Sequence, residues 1–228
     1  MERSMNEIDA FYQKQLEDFL RPHFESSDAL TNFLSDVFDY ENGSVTKRQM
    51  LYKVQKFVSL ANNIEIISPN SDGLKILFLV ICIDSLRPKK LNIDSFSPIF
   101  ADYFSAEGKD YILSHFKLSY FEDNYRGLTF DAHHDITTLK EIMWLFIAIR
   151  NDLVHNGRGW SMQFFARDDD SIWLTSMETR KKVIEYKFYQ SGGNMVKYHF
   201  DTTLNYEKFI FYFVEACISY ISKMNAEC

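Results

Sequence analysis

Thr138-Leu139-Lys140-Glu141-Ile142-Met143-Trp144-Leu145-Phe146-Ile147-Ala148-Ile149-Arg150-Asn151-Asp152-Leu153-Val154-His155-Asn156-Gly157 holds both the clearest helix signal in the chain and its most unusual polar residues. Thr138 and Glu141 have the spacing of a capping box, in which the hydroxyl takes an early amide proton and the carboxylate reaches back. Beyond them, Ile142, Leu145, Phe146, Ile149 and Leu153 form one stripe at steps of three and four. Met143, Ile147, Arg150 and Val154 form a second stripe, and Trp144, Ala148, Asn151 and His155 a third. A helix apolar over so much of its circumference must bury more than one side. Part of that surface fits its own bundle, and the remainder suits a symmetric partner. Asn151 and His155 share a face one turn apart, with Arg150 on the adjacent edge. Asn156-Gly157 supplies the stop.

C-terminal to this helix the periodicity changes from helical to alternating. Trp160–Ala166, Ile172–Met177, Val183–Tyr189 and Met195–Phe200 each predict a strand. Arg167-Asp168-Asp169-Asp170 and Ser191-Gly192-Gly193-Asn194 provide turns, with the Asp run read as a solvated turn rather than a cation site. The expectation is an antiparallel meander of about four strands over roughly residues 160–202. A last helix from Leu204 to Met224 carries Phe209, Ile210, Phe213, Cys217, Tyr220 and Ile221 on one face and should pack beside the Thr138 helix.

N-terminal to it, helices are expected over Asn6–Leu20 and Asp28–Phe38, separated by Pro22 and followed by an Asn42-Gly43 turn. Residues 1–41 are expected to form an extension packed on the body or facing a partner. Thr46–Gln49 is a second capping box, and the helix it opens runs to about Ala61. Leu74–Leu86 is hydrophobic all round and therefore central. Ser95–Leu118 reads as two helical pieces broken near Gly108, and Tyr120–Asp131 as an irregular aromatic loop. The fold class is mainly α with an α+β element: a helical bundle over residues 42–228, with the meander inserted before the last helix.

Composition bounds the function. There are 21 Phe and 13 Tyr against 8 Gly and 4 Pro, which favours a helix-rich, aromatically packed body over a disordered one. A net charge of −7 argues against broad, non-specific capture of nucleic acid, although a cleft for one strand needs only local cations. Local candidates are Lys47-Arg48 with Lys53 and Lys56, Arg87-Pro88-Lys89-Lys90, and Arg180-Lys181-Lys182. Cys82, Cys217 and Cys228 have no metal-binding spacing and suit a reducing compartment. His133-His134-Asp135 has too few spaced partners for a metal site and reads better as helix entry. The N-terminus has no apolar signal core, and the run Ile76–Ile83 is too short to cross a bilayer. A soluble cytoplasmic protein without cofactor or metal is expected.

Arg150 and His155 carry chemistry together. Cleaving RNA without a metal needs a base for the 2′-hydroxyl, an acid for the leaving 5′-oxygen and positive charge for the phosphate. Imidazole transfers protons in either direction near neutral pH. Guanidinium stays charged and matches phosphate oxygens with a planar fork. Asn151 can orient His155 or bind phosphate through its amide. The pattern Arg150-Asn151-x-x-x-His155, followed by Asn156-Gly157, resembles the signature of the HEPN superfamily. That resemblance implies a helical bundle, a homodimer through the motif helix, and metal-independent endoribonuclease activity of the toxin or antiviral-defence type. RNA is then the substrate, Arg150 the phosphate clamp, His155 the acid–base group and Asn151 the orienting group, with an antitoxin or regulator as a further partner. Some toxin members carry a Tyr two residues beyond the His; Gly157 stands there in this chain. A catalytically silent dimerisation or docking module, and a nucleotide sensor whose pocket is built by the β insertion, are the alternatives. In the plainest one, Arg150 pairs with an acidic neighbour and His155 serves as a helix cap. On a continuous helix Arg150 and His155 point about 140° apart. Either the helix ends at His155, or two copies meet across a two-fold axis.

Overall fold

The computed structural model describes residues 5–38, 45–68, 71–88, 91, 93, 95–123, 134–135, 138–156, 164, 186–189 and 195–224, and it is mostly helical. Helix α1, Met5–Leu20, passes through a 3-10 turn at Arg21–His23 into α2, Ser27–Phe38. Pro22 lies in the first turn of that 3-10 segment, where its missing N–H costs nothing. Leu16, Leu20, Leu30, Leu34 and Val37 are buried in the same hydrophobic cluster as the later helices, so this N-terminal pair packs on the body.

Helix α3, Val45–Ile67, starts one residue before Thr46, which therefore sits in the first turn and not at the cap. It also continues past Ala61. The two asparagines that follow are accommodated: Asn63 Nδ2 donates to the Ser59 carbonyl at 2.8 Å, and Asn62 Oδ1 accepts from the Tyr206 hydroxyl at 2.8 Å. Helix α4, Asp72–Ser85, buries Ile76, Leu79, Val80, Cys82 and Ile83, as a central helix must.

A short helix α5, Ser97–Phe100, and a 3-10 turn at Ala101–Tyr103 precede α6, Ala106–Ser114. Ser105 caps α6 by accepting from the Gly108 amide at 3.1 Å. The break expected near Gly108 thus falls at Phe104-Ser105, and Gly108 lies inside the helix. A Cβ there would meet the Tyr212 side chain at 3.1 Å, so the missing side chain is what permits this close helix approach.

Helix does not continue to Leu118. Phe116–Asp123 is strand β1, and Phe116, Leu118 and Tyr120 alternate there with Lys117, Ser119 and Phe121. His134-Asp135 forms β2, a short strand in place of the expected helix entry. Helix α7 follows at Leu139–Asn156, then β3 at Tyr186–Tyr189, β4 at Met195–Thr202 and α8 at Tyr206–Lys223. The antiparallel sheet has the order β2-β1-β4-β3, with Phe116 opposite Thr202 and Tyr186 opposite Tyr198. Two of its strands therefore come from before α7. Of the expected strands Trp160–Ala166 and Ile172–Met177, only Phe164 is described, and it is in no strand; the rest of both lies outside the described residues.

The aromatic centre joins α5, α7 and α8. Phe146 packs on Phe209 with ring centroids 5.7 Å apart, and Phe213 lies 5.9 Å from Phe100. Tyr220 packs on Phe100 while its hydroxyl donates to the Leu86 carbonyl at 3.0 Å. Each such ring contributes about 1.5–3 kcal/mol through burial, with about 0.5–1.5 kcal/mol more for favourable ring pairs. Cys82 and Cys217 are both buried free thiols in this core. Burial, then hydrogen bonding to Cys82, pushes the Cys217 thiol well up.

Candidate functional site

Helix α7 opens with the expected reciprocal cap. The Glu141 amide donates to Thr138 Oγ1 at 3.4 Å, and Glu141 Oε2 accepts from the Thr138 amide at 3.1 Å and from its hydroxyl at 2.7 Å. From that start Ile142, Met143, Leu145, Phe146, Ile147, Ala148 and Ile149 are all buried. The protomer thus consumes most of the apolar surface that seemed available for a partner. Beyond the first turn, what is open among the described residues is Trp144, 54% exposed, and Val154, 56% exposed, together with Asn151 and His155.

Arg150 is held at the edge of this open face. Its Nη2 donates to Asp84 Oδ2 at 3.3 Å, and the two side chains are 24% and 27% exposed. The other Asp84 oxygen, Oδ1, accepts from Ser95 Oγ at 2.8 Å and from the Phe96 amide at 2.9 Å. Arg150 Nε is buried with no hydrogen-bond partner among the described residues. An ion pair about a quarter exposed, with one contact at 3.3 Å, stabilises the fold by about 1 kcal/mol. Its main effect is geometric, since it fixes where a flexible side chain points.

Helical geometry persists through Asn156, so His155 still lies on the helix and Arg150 stays about 140° from it around the axis. The arc between them passes through Val154 and Asn151, both exposed at this end of the helix. Arg150, Asn151 and His155 therefore border one open surface. Within one protomer, however, Arg150 leans on α4 while His155 faces outward.

Cations from distant stretches gather at the same end of α4. Lys53 Nζ donates to the Ser85 carbonyl at 3.0 Å, and the Arg87 guanidinium donates to the Ile93 carbonyl. Each belongs to one of the basic clusters visible in the sequence; Lys89-Lys90 and Arg180-Lys181-Lys182 lie outside the described residues.

Sequence reasoning missed two polar clusters. Asp84 with Ser95 is one, and its only local signal was an acidic residue inside an apolar helix. The other surrounds Lys75, whose Nζ lies 2.7 Å from Asp72 Oδ1, 3.0 Å from Glu65 Oε2 and 4.7 Å from the centre of the Tyr206 ring. Burial opposes the Lys75 ammonium, but the carboxylates of Asp72 and Glu65 override it and hold its pKa above the ordinary value. Burial, aided by Asp72, likewise pushes the Tyr206 phenol well up. Asp72 Oδ2 also accepts from the Phe164 amide at 2.7 Å, and the Phe164 ring lies 5.1 Å from Tyr206 and 5.7 Å from Phe209. This cluster pins a residue just downstream of the motif helix.

No group of three or more His, Cys, Asp or Glu side chains with metal-binding geometry occurs among the described residues, and no described helix is long and apolar enough to cross a membrane. His133, Gly157, the Asp168–Asp170 run and Cys228 lie outside the described residues. A depression between α1 and α2, lined by Gln13, Glu17, Thr31 and Asp36, contains none of the motif residues. In comparisons with known proteins, no family model, no curated protein and no solved structure matches the chain.

Proposed function

We propose that this protein is a metal-independent endoribonuclease of HEPN type, acting as a toxin or antiviral-defence effector in the cytoplasm. His155 takes the proton from the 2′-hydroxyl, whose oxygen attacks the adjacent phosphorus and forms a cyclic 2′,3′-phosphate. The bond to the 5′-oxygen breaks, and imidazolium returns a proton to that oxygen. Arg150 neutralises the phosphate as charge builds in the transition state. Asn151 orients the imidazole or the phosphate.

The observation that carries this reading is the open surface at the end of α7, bordered by a guanidinium fixed against α4 and by an exposed imidazole. Because α7 stays helical through Asn156, the pairing of Arg150 with a histidine across a two-fold axis is the favoured way to close both groups on one phosphate. A homodimer through this face, and a β-meander over residues 160–202 that flanks it, belong to the proposal. An antitoxin or regulatory protein is a further expected partner.

The test is cleavage of RNA in EDTA. Arg150→Ala and His155→Ala should each abolish cutting while leaving the dimer intact. An equal mixture of the two variants should regain activity, because heterodimers retain one trans pair of Arg150 and His155. Wild-type protein that leaves every RNA uncut, with and without divalent metal, defeats the enzyme reading.

A second reading is a silent HEPN-like module that dimerises or docks a partner. It is favoured by the Arg150–Asp84 ion pair, which gives the arginine a structural employment, and by exposed Trp144 and Val154. A nucleotide sensor has no comparable observation behind it.

A further inference from the structure

Asp84 lies 66 residues before Arg150 in sequence and is the carboxylate that the arginine meets in space. Its two oxygens are divided between different tasks. Oδ1 is held by the Ser95 hydroxyl at 2.8 Å and the Phe96 amide at 2.9 Å, which locks the carboxylate plane. Oδ2 is left to receive Arg150 Nη2 at 3.3 Å. The guanidinium spends one donor on this contact, out of five. Nε points into the protein and has no partner among the described residues. Among the described residues, the edge left to a ligand is therefore the terminal one, made by Nη1 and the second proton of Nη2.

Resting on the nuclease reading, we infer that Asp84 is a positioning residue, which with Ser95 and the Phe96 amide holds Arg150 so that its terminal edge meets an RNA phosphate. An arginine without this support has long-stem rotamer freedom and loses its orientation, and a small displacement of a clamp is enough to lower turnover strongly. Asp84 does not touch substrate. It also leaves the local charge favourable, because Lys53 and Arg87 stand at the same end of α4.

The experiment is a double-mutant cycle read by binding as well as by cleavage. The probe is a short fluorescein-labelled 2′-O-methyl oligoribonucleotide, which has no free 2′-hydroxyl and cannot be cut by this chemistry. Asp84→Asn keeps an acceptor for Ser95 and Phe96 but removes the charge that orients Arg150. It should weaken binding of the probe roughly tenfold and lower kcat on unmodified RNA by a similar or larger factor. In an Arg150→Ala background the same change should do almost nothing, since there is no guanidinium left to orient. Ser95→Ala, which loosens Oδ1 and keeps the charge, should give a smaller loss in the same direction, and it carries the test if Asp84→Asn folds poorly. Equal weakening in both backgrounds, no change, or tighter binding by Asp84→Asn overturns the inference. Wild-type protein that binds the probe but never cuts unmodified RNA defeats the nuclease reading separately, and the binding cycle still decides the role of Asp84.

Discussion

Replacing Asp72 with alanine tests how the chain is held just beyond its motif helix. The side chain is buried and serves two donors, Lys75 Nζ at 2.7 Å and the Phe164 amide at 2.7 Å. Removing one partner of a buried pair ordinarily costs about 3–5 kcal/mol, because the surviving charge is left uncompensated. Here Lys75 retains Glu65 at 3.0 Å, and that carboxylate side chain is 49% exposed, so about half of that penalty remains. Loss of the charge-assisted bond to the Phe164 amide adds about 1–2 kcal/mol. The expected total is about 3 kcal/mol, a large share of the stability of an ordinary domain. Asp72→Asn keeps an acceptor for Phe164 and should cost about 1–2 kcal/mol. Asp72→Ala combined with Lys75→Met, which removes both charges and fills the space, should recover much of the loss. Urea denaturation at neutral pH, compared by midpoint and slope, measures all three. If Asp72→Ala lies within about 0.5 kcal/mol of wild type, or if Asn and Ala are equivalent, the cluster does not hold the fold as argued.

Two further outcomes concern α8. Burial lowers the His23 pKa to about 4, and its ring stacks on Phe211 at 4.8 Å with Nδ1 unpartnered among the described residues. The unfolded chain binds this proton near pH 6.5, so stability is full above that value and is lost as pH falls from there towards about 4. The ceiling is about 3 kcal/mol, which partial exposure reduces to about 1–2 kcal/mol; His23→Phe should flatten thermal melting across that window, and an unchanged acid slope refutes the assignment. Gly108→Val should lower the melting midpoint by the equivalent of about 2 kcal/mol, since its Cβ would stand 3.1 Å from Tyr212 and branching leaves it little freedom to adjust.

Much of α7 is legible in the sequence because its signals are local. A Thr and a Glu three residues apart set its start, and apolar spacing marks Ile142, Phe146 and Ile149 as core. Periodicity also separates Asn151 and His155 from that core, as found. Strand β1 was written in the alternation of Phe116, Leu118 and Tyr120, but the helical residues just before it masked that signal. The extension of α3 to Ile67 was hidden for a different reason. Asn62 and Asn63 look like a stop until Tyr206, 144 residues beyond Asn62, supplies a hydroxyl partner. Asp84 was unreadable in the same sense: it sits in an apolar helix, and only a tertiary contact reveals the cation it serves. Asp72 and Lys75, three residues apart in α4, are a local pair, and what stayed hidden was their contact with Glu65 and the Phe164 amide.

The helix that forms the core is also the one that presents Arg150 and His155, and burial decides how those roles are divided around its axis. Its apolar stripes are buried inside the protomer almost completely, so a partner cannot be recruited by a broad greasy flank. Beyond the first turn, the exposed residues Trp144, Asn151, Val154 and His155 fall within roughly 100° of arc, and Arg150 stands about 40° beyond Val154. A two-fold contact on this sector would bring two imidazoles towards each other, with the arginines at the margins, each fixed from behind by a carboxylate on α4. That geometry makes the ion pair compatible with a working clamp. A guanidinium anchored through one donor at 24% exposure is neither sealed in the core nor loose in solvent. Had Arg150 been turned fully inward, the histidine would have no cation to work with; had it been unpaired on the surface, its orientation would be set only by the substrate.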